Sequence, residues 1–167
     1  MKLEQATKLA EDLKNYFQPI SHRIEIAGSI RRKMAEVNDI DIVLIPDDWT
    51  DFELSVNSIL KNVTLNGKKI KRGLYKDVIV DLYIADKDTF DTLLFIRTGS
   101  AEHNIRLTTL AKKKGWKLHA SGLGLTNEKN EIIARTETEI FDKLVIPYLP
   151  PEERGFENAA LLKEKKA

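Results

Sequence analysis

The 167-residue sequence contains no cysteine, which excludes disulfide bridges and thiolate metal sites and favours a reducing compartment such as the cytoplasm. It also lacks long apolar runs: residues 42–45, for example, span four positions, whereas a membrane-spanning helix needs about 20. Met1 leads into a polar amphipathic stretch, so we expect no signal peptide, no membrane contact and a cytoplasmic protein. The 42% hydrophobic content is too high for a chain that is mainly disordered.

Net charge is nearly absent as well, because 27 basic residues offset 26 acidic ones and leave +1. The charges are nevertheless segregated along the chain. Residues 36–53 hold five aspartates and no lysine or arginine, whereas residues 61–76 and 106–117 hold basic residues and no acid. Such runs are most often solvated surface. They also allow an acidic pocket to lie beside basic walls, and a polyanion with many phosphates responds to that local field.

The hydrophobic periodicity predicts an α+β fold in two parts. We expect a mixed sheet with helices over residues 1–97, a smaller α+β unit over residues 98–155 and a tail over residues 156–167, which is helical or frayed. The boundary is placed at 98–100, where Thr-Gly-Ser interrupts two helical stretches. The predicted elements, in chain order, are a helix at 3–17, strands at 23–27 and 39–45, a helix at 50–61, a hairpin at 63–74, a strand at 78–85, helices at 89–97 and 101–114, strands near 116–119, 123–126 and 131–133, and a short helix after 136.

Several short motifs predict where these elements begin and end. Residues 50–53 and 136–139 each have the Thr-x-x-Glu pattern of a capping box, in which the two side chains satisfy free backbone N–H groups at a helix start. Asn66-Gly67 predicts a type I′ hairpin turn, because both residues tolerate positive φ. Gly115 is expected to end the helix before it.

The strongest chemical signal is a set of three aspartates in predicted strands. Asp39 and Asp41 share one face of their strand because successive side chains alternate, and Asp81 lies in a second strongly apolar strand. If these strands pair, the three carboxylates converge. Two such charges about 4 Å apart repel by roughly 4 kcal/mol at an effective dielectric of 20, so a cation or raised pKa values must relieve the repulsion. The all-oxygen set favours Mg²⁺, although an isolated Asp-x-Asp is most often a solvated edge.

Gly28-Ser29 follows a predicted strand and precedes two arginines, and we expect Ser29 near the N-cap of a helix. Glycine allows a phosphate to approach the backbone, a helix start offers free N–H groups, and Arg32 adds a two-pronged donor. A Gly-Ser pair alone carries no information. Ten residues before Asp39, however, it predicts a triphosphate cradle beside a metal site.

Residues 28–32 and 38–41, with Asp81 as the third carboxylate, resemble the strand–turn–helix motif of the nucleotidyltransferases. More specifically, they resemble the family X DNA polymerases related to polymerase beta. This resemblance implies that residues 1–97 are a nucleotidyltransferase palm.

The second half of the chain resembles the same family. Residues 98–100, followed by His103-Asn104 and residues 111–115, are similar to its C-terminal nucleotide- and DNA-contacting subdomain. Residues 147–152 are similar to the stretch that closes that subdomain. The likeness extends over residues 3–155.

The resemblance implies specific roles for these residues. Asp39 and Asp41 would bridge two Mg²⁺ ions, for which Mn²⁺ can substitute, and Asp81 would ligate the catalytic ion and accept the proton of the primer 3′-hydroxyl. Ser29 and Arg32 would hold the β- and γ-phosphates, Thr98 and Gly99 would line the sugar, and Asn104 would reach the base. The complete nucleotide-binding set implied in this way is Gly28, Ser29, Arg32, Asn38, Thr98, Gly99 and Asn104.

The function implied by the resemblance is a template-directed DNA polymerase that fills short gaps in DNA repair by a two-metal mechanism. Its partners would be gapped or primer–template DNA and a deoxynucleoside triphosphate, and it would act as a monomer. Two alternatives stay open at this point. One is a small nucleotidyltransferase that modifies a protein, a tRNA or a small molecule, and the other is a non-catalytic module that binds DNA ends.

Overall fold

The computed structural model describes residues 1–165 and divides into two compact units, Met1–Lys87 and the described residues from Asp88 onward. The first unit is a five-stranded mixed sheet with helices, and the second combines helices with a three-stranded sheet. The predicted α+β class is therefore confirmed. Within residues 1–165, no helix has both the length and the apolar character needed to cross a membrane.

The sheet of the first unit has the strand order β1-β2-β5-β4-β3. Strands β2 and β5 are parallel, whereas the β1–β2, β3–β4 and β4–β5 pairs are antiparallel. The elements of this unit are α1 (Leu3–Phe17), β1 (Ser21–Ile26), α2 (Gly28–Arg31), β2 (Asp39–Pro46), α3 (Trp49–Ile59), β3 (Lys61–Asn66), β4 (Ile70–Tyr75) and β5 (Val78–Ile84).

The core of this unit forms where the helices cover β2 and β5. Helix α1 buries Ala6, Ala10, Leu13 and Phe17, the positions that its helical repeat brings to one face. On β2 the inward side chains Ile40, Ile42 and Leu44 are fully buried; full burial of each stabilises the fold by roughly 1.5–3 kcal/mol. Because side chains alternate along a strand, the same packing turns positions 39 and 41 to the opposite face.

Two local predictions in this unit are wrong. Helix α3 begins at Trp49 because Asp48, not Thr50, is its N-cap, and the Asp48 carboxylate accepts a hydrogen bond from the backbone N–H of Asp51 at 2.9 Å. The hairpin between β3 and β4 forms as expected, but neither Asn66 nor Gly67 has a positive φ, so its turn is not type I′. A backbone hydrogen bond from Gly67 to the carbonyl of Ile70 closes the turn instead.

The second unit has its own core, formed by two long helices and a short one packed on a small sheet. Phe95, Leu107, Leu125 and Phe141 are fully buried or nearly so within it. Its elements are α4 (Phe90–Thr98), α5 (Ala101–Lys113), β6 (Lys117–His119), β7 (Gly124–Thr126), β8 (Ile132–Ala134), α6 (Glu137–Lys143) and the 3₁₀ helices Pro151–Glu153 and Phe156–Leu161.

In this unit, the short motifs that predict helix starts and ends agree with the structure. The capping box at Thr136 and Glu139 is confirmed, with both reciprocal hydrogen bonds present. Helix α5 ends at Lys113, and Gly115 follows with φ +74°, a conformation that favours glycine after a helix end. Helix α4 packs into this core through Phe95, so the compact second unit includes residues that the sequence boundary at 98 assigns to the first part. The last two residues of the predicted tail lie outside the described residues.

Candidate active site

The acidic face of the first unit lies on the two parallel strands at its centre. In the β2–β5 register Asp41 is paired with Asp81, and Asp39 precedes Asp41 by two positions on the same face. The strand pairing on which the convergence of the three carboxylates depends is thus present. Asp81 is 3% exposed, whereas Asp39 and Asp41 are partly exposed. The site is therefore open at Asp39 and closed at Asp81.

An arginine that the sequence reasoning did not single out binds the buried carboxylate. Arg72 is the register partner of Asp81 on β4, and its Nε donates to Oδ1 at 2.6 Å while Nη2 donates to Oδ2 at 3.1 Å. The Asp81 carboxylate raises the pKa of Arg72 through this hydrogen bond and through its charge. Both carboxylate oxygens of Asp81 thus face one guanidinium group.

The charges on this face act on one another. Burial raises the pKa of Asp39 above its ordinary value, and the negative charge of Asp81 raises it further. The positive charges of Arg72 and Arg32 oppose this shift. Asp39 and Asp81 are therefore close enough to repel, and the site is one in which an additional cation is electrostatically favoured.

The turn that begins α2, at Ala27 and Gly28, packs directly against Asp41. Gly28 has φ +62°, and a Cβ built on it would overlap the Asp41 carboxylate and lie 3.0 Å from Cγ. The backbone N–H of Ala27 donates to the carbonyl of Asp41 at 2.8 Å and ties the turn to β2. Only a glycine can thus bring the turn backbone this close to the carboxylate.

The other predicted phosphate ligands lie around the same turn. Ala27 is the N-cap of α2, and Ser29 lies two residues after it, near the N-cap as expected. Ser29 is the second residue of a helix of four residues, and Arg32 is its C-cap. Asn38 is exposed immediately before β2. Gly28, Ser29 and Arg32 thus surround the turn that contacts Asp41, and their role in phosphate binding stays a prediction.

We expect Gly28→Ala to destabilise the protein by about 1–3 kcal/mol, because alanine disfavours this φ and its Cβ overlaps the Asp41 carboxylate. Urea denaturation measures this loss. Gly67→Ala is the matched control, since its nearest atom would be 3.7 Å away and its φ is ordinary. Equal stability of the two variants would contradict the close approach of Gly28 to Asp41.

The donor set of this face fits a hard divalent cation, although its side chains are not arranged as a metal site. Within residues 1–165, no three histidine, cysteine, aspartate or glutamate side chains are grouped so as to hold a metal ion. Three carboxylates on adjacent positions of two paired strands are nonetheless the oxygen ligands that Mg²⁺ and Mn²⁺ prefer. Within this set, the Asp81 carboxylate accepts hydrogen bonds from Arg72.

The predicted nucleotide ligands of the second unit lie where α4 meets α5. The Thr98 hydroxyl is buried and donates to the carbonyl of Leu94 at 2.6 Å. Gly99 is the C-cap of α4, and a Cβ on it would overlap His103 and Asn104 side-chain atoms. The Asn104 amide donates to the carbonyl of Ile96 at 2.8 Å. These contacts bring Gly99 and Asn104 together and give Thr98 a structural partner, while their contacts with sugar and base stay predictions.

Sequence reasoning missed two arginines that make two-point contacts with carboxylates. Arg72 appeared only as one charge of a basic tract, and its pairing with Asp81 depends on the register of the hairpin. Arg154 is fully buried in the second unit and pairs with Glu137. For Arg72, the sequence signal that could have helped is the alternation of side chains along a strand, which places Arg72 and Lys71 on opposite faces of β4.

Comparisons with known proteins find sequences similar to this chain. Residues 93–155 match the family model described as DNA polymerase beta thumb. The chain is 27% identical over 157 residues to DNA polymerase/3'-5' exonuclease PolX of Bacillus subtilis, covering 89% of this chain and 27% of that protein. It is 26% identical over 148 residues to Repair DNA polymerase X of African swine fever virus (isolate Tick/Malawi/Lil 20-1/1983), covering 81% of this chain and 83% of that protein.

The fold is also shared with solved structures. Leishmania infantum polymerase beta, in a ternary P/T complex, superposes with a TM-score of 0.80 at 20% identity, covering 92% of this chain and 76% of that chain. The chain thus spans only about a quarter of the bacterial relative but most of the viral one. With its five-stranded mixed sheet, its acidic face and its thumb match, the chain is similar to the family X DNA polymerases related to polymerase beta.

Proposed function

We propose that this protein is a template-directed DNA polymerase that adds deoxynucleotides to a primer 3′-hydroxyl and fills short gaps during DNA repair. The observation that carries the proposal is the register of β2 and β5, which sets Asp41 beside Asp81 with Asp39 on the same face. The Gly28 turn, packed on Asp41, supplies backbone next to these carboxylates. Phosphoryl transfer needs such positioning and charge stabilisation more than covalent chemistry.

The residues present indicate how the site would work. Asp39 and Asp41 would hold two Mg²⁺ ions, with Mn²⁺ as a substitute, and Asp81 would hold the catalytic ion. Bound there, the ions would lower the pKa of the primer hydroxyl and neutralise charge on the attacking and leaving oxygens. Asp81 is buried beside the other two and is our candidate acceptor of the hydroxyl proton.

The predicted nucleotide ligands form two groups, one within each unit. In the first, the turn backbone at Gly28 with Ser29, Arg32 and Asn38 would take the triphosphate, because N–H groups and a guanidinium bind phosphate oxygens. In the second, Thr98, Gly99 and Asn104 would contact the sugar and base. The names of the relatives support repair synthesis, and polymerase beta neighbours solved in ternary P/T and gap complexes support DNA as the partner.

The remaining parts of the proposal are a monomeric state and a cytoplasmic location. The absence of cysteine supports a reducing compartment. Gel filtration with light scattering tests the first part, since a monomer has a mass of 19.1 kDa.

Primer extension on a one-nucleotide gap with Mg²⁺ tests the polymerase activity directly. We expect incorporation of the deoxynucleotide that pairs with the template and little of the other three. Transfer of a nucleotide only to tRNA, protein or a small molecule would overturn the proposal in favour of a small nucleotidyltransferase. Binding of gapped DNA without incorporation in Mg²⁺ or Mn²⁺ would instead support a DNA-end-binding module.

We expect DNA affinity to fall steeply with salt, since lysine–phosphate contacts release counterions. Lys68 and Lys69 are exposed at the β3–β4 hairpin, and changing both to alanine should reduce the slope of log affinity against log salt by up to about two. Fluorescence anisotropy of labelled gapped DNA at several salt concentrations measures this slope. Lys2→Ala with Lys8→Ala removes the same charge from α1 and its N-cap as a control, and an equal change in that control would contradict a hairpin contact.

A further inference from the structure

The contact between Arg72 and Asp81 joins one exposed and one buried side chain. The Arg72 side chain is 44% exposed, whereas that of Asp81 is 4% exposed. The guanidinium thus reaches the carboxylate from the solvent side of the sheet and covers it with two hydrogen bonds, at 2.6 Å and 3.1 Å. A side chain with this much exposure has room to turn outward, while the buried carboxylate stays in place.

The buried carboxylate requires a positive partner, because burying an unpaired charge is strongly unfavourable. Among residues 1–165, no three histidine, cysteine, aspartate or glutamate side chains are grouped so as to hold a metal ion. The positive group that contacts the Asp81 carboxylate is the Arg72 guanidinium. A divalent ion at Asp81 would need the same carboxylate oxygens. It would also lie a few ångströms from a positive guanidinium, which repels it.

We propose that Arg72 is a resident counter-cation of Asp81 that competes with the catalytic metal, so that metal binding and withdrawal of the guanidinium are linked. The inference rests on the proposed function, in which Asp81 is a metal ligand. The site therefore has two arrangements. In one, Arg72 neutralises Asp81 as in this structure, and in the other the ion does so and Arg72 turns to solvent.

This linkage makes Arg72 a determinant of metal affinity and a positioning residue. A ligand shifts such an equilibrium by its difference in affinity for the two arrangements. A metal ion must displace the guanidinium before it reaches full coordination, so its apparent affinity is reduced in the wild type. DNA phosphates near the β3–β4 hairpin would attract the released Arg72 and favour the metal-bound arrangement.

Titration of the intact protein with Mn²⁺ alone, followed by electron paramagnetic resonance of the free ion, tests the inference without any activity assay. Arg72→Met keeps the aliphatic stem and removes the guanidinium, and we expect it to bind Mn²⁺ at least about tenfold more tightly than the wild type. Arg23→Met is the matched control. Arg23 is an exposed strand arginine on β1, paired with Ile45 and remote from Asp81, so its loss should leave Mn²⁺ affinity unchanged.

If Arg72 has a purely structural role, Arg72→Met should bind Mn²⁺ no more tightly than the wild type, because loss of a positioning contact would leave the Mn²⁺ affinity equal or weaker. Either result would overturn the inference, as would an equal gain in Arg23→Met. If Arg72→Met does not fold without metal, Arg72→Lys keeps the charge and loses the two-point contact. That variant should bind Mn²⁺ several-fold more tightly, and an affinity equal to that of the wild type would overturn the inference.

The two proposals fail in different ways. If the wild type extends primers and Arg72→Met binds Mn²⁺ no more tightly, the polymerase assignment stands and the counter-cation role falls. If neither the wild type nor either Arg72 variant binds Mn²⁺ and no primer is extended, both fall. Added Mn²⁺ should also raise the melting temperature of Arg72→Met more than that of the wild type, because it replaces the missing partner of Asp81.

Discussion

Asp81→Asn should lower primer extension by about a thousandfold or more while the protein stays folded. Loss of a carboxylate ligand from a metal-assisted transfer removes several kcal/mol of charge stabilisation in the transition state, and each 1.36 kcal/mol is a factor of about ten in rate. Asparagine matches aspartate in shape, so the packing around this 3% exposed residue is preserved. Its former partner Arg72 is 44% exposed and is solvated after the change.

Single-turnover extension on a one-nucleotide gap measures this loss, and circular dichroism reports the fold. Asp77→Asn is the matched control, because Asp77 is exposed in the β4–β5 turn and has φ +66°, which asparagine adopts readily. The control should retain activity within about twofold of the wild type, since exposed turn substitutions change little. Retention of activity by Asp81→Asn within about tenfold of the wild type would remove Asp81 from the catalytic set.

Arg154→Met should destabilise the second unit by about 3–5 kcal/mol, because it removes the fully buried member of an ion pair together with its hydrogen bonds. Arg154 is fully buried. Its Nη1 and Nη2 donate to the two Glu137 carboxylate oxygens at 2.9 Å and 3.2 Å, and its Nε donates to the carbonyl of Leu149 at 2.8 Å. The guanidinium carbon also lies 5.2 Å from the ring centre of Phe95 and 5.4 Å from that of Phe141.

Urea denaturation of the full chain, monitored by circular dichroism, measures this effect. Adding Glu137→Gln to Arg154→Met should recover part of the loss, because the carboxylate charge that Arg154 neutralised is then removed as well. Arg135→Met is the control: its ion pair with Asp88 has side chains 42% and 77% exposed, so its removal should cost less than about 1 kcal/mol. A loss in Arg154→Met no larger than in Arg135→Met would show that the buried pair contributes little.

The elements predicted well are those whose signals lie within a few residues of one another. Helix α1 follows from its apolar repeat and ends at Phe17, just before Pro19, and the Thr136–Glu139 capping box begins α6 as expected. The shared face of Asp39 and Asp41 is likewise local, because alternation along a strand needs no tertiary information. Two residues near the start of α3 can cap a helix, Asp48 and Thr50, and in the structure Asp48 is the N-cap.

Only part of the candidate site could be predicted from such local signals. The sequence indicated which carboxylates to expect, and the resemblance implied what they would bind. The sequence did not indicate that Asp81 forms an ion pair with Arg72, nine positions earlier, because that pairing depends on the register between β4 and β5. It also did not reveal how closely Gly28 approaches Asp41, which follows from the packing of the turn on β2.

By itself, therefore, the sequence determined the α+β class, the acidic face of β2 and the glycine turn that precedes this strand. Each of these features depends only on the spacing of residue types over a few positions. Tertiary structure alone decided which unit includes α4, which arginines pair with the carboxylates of Asp81 and Glu137, and which conformation the β3–β4 turn adopts. These features depend on register and burial, which bring together residues that no local pattern links. An aspartate's chemistry is set by its neighbours in space, and for Asp81 the nearest of these is a guanidinium.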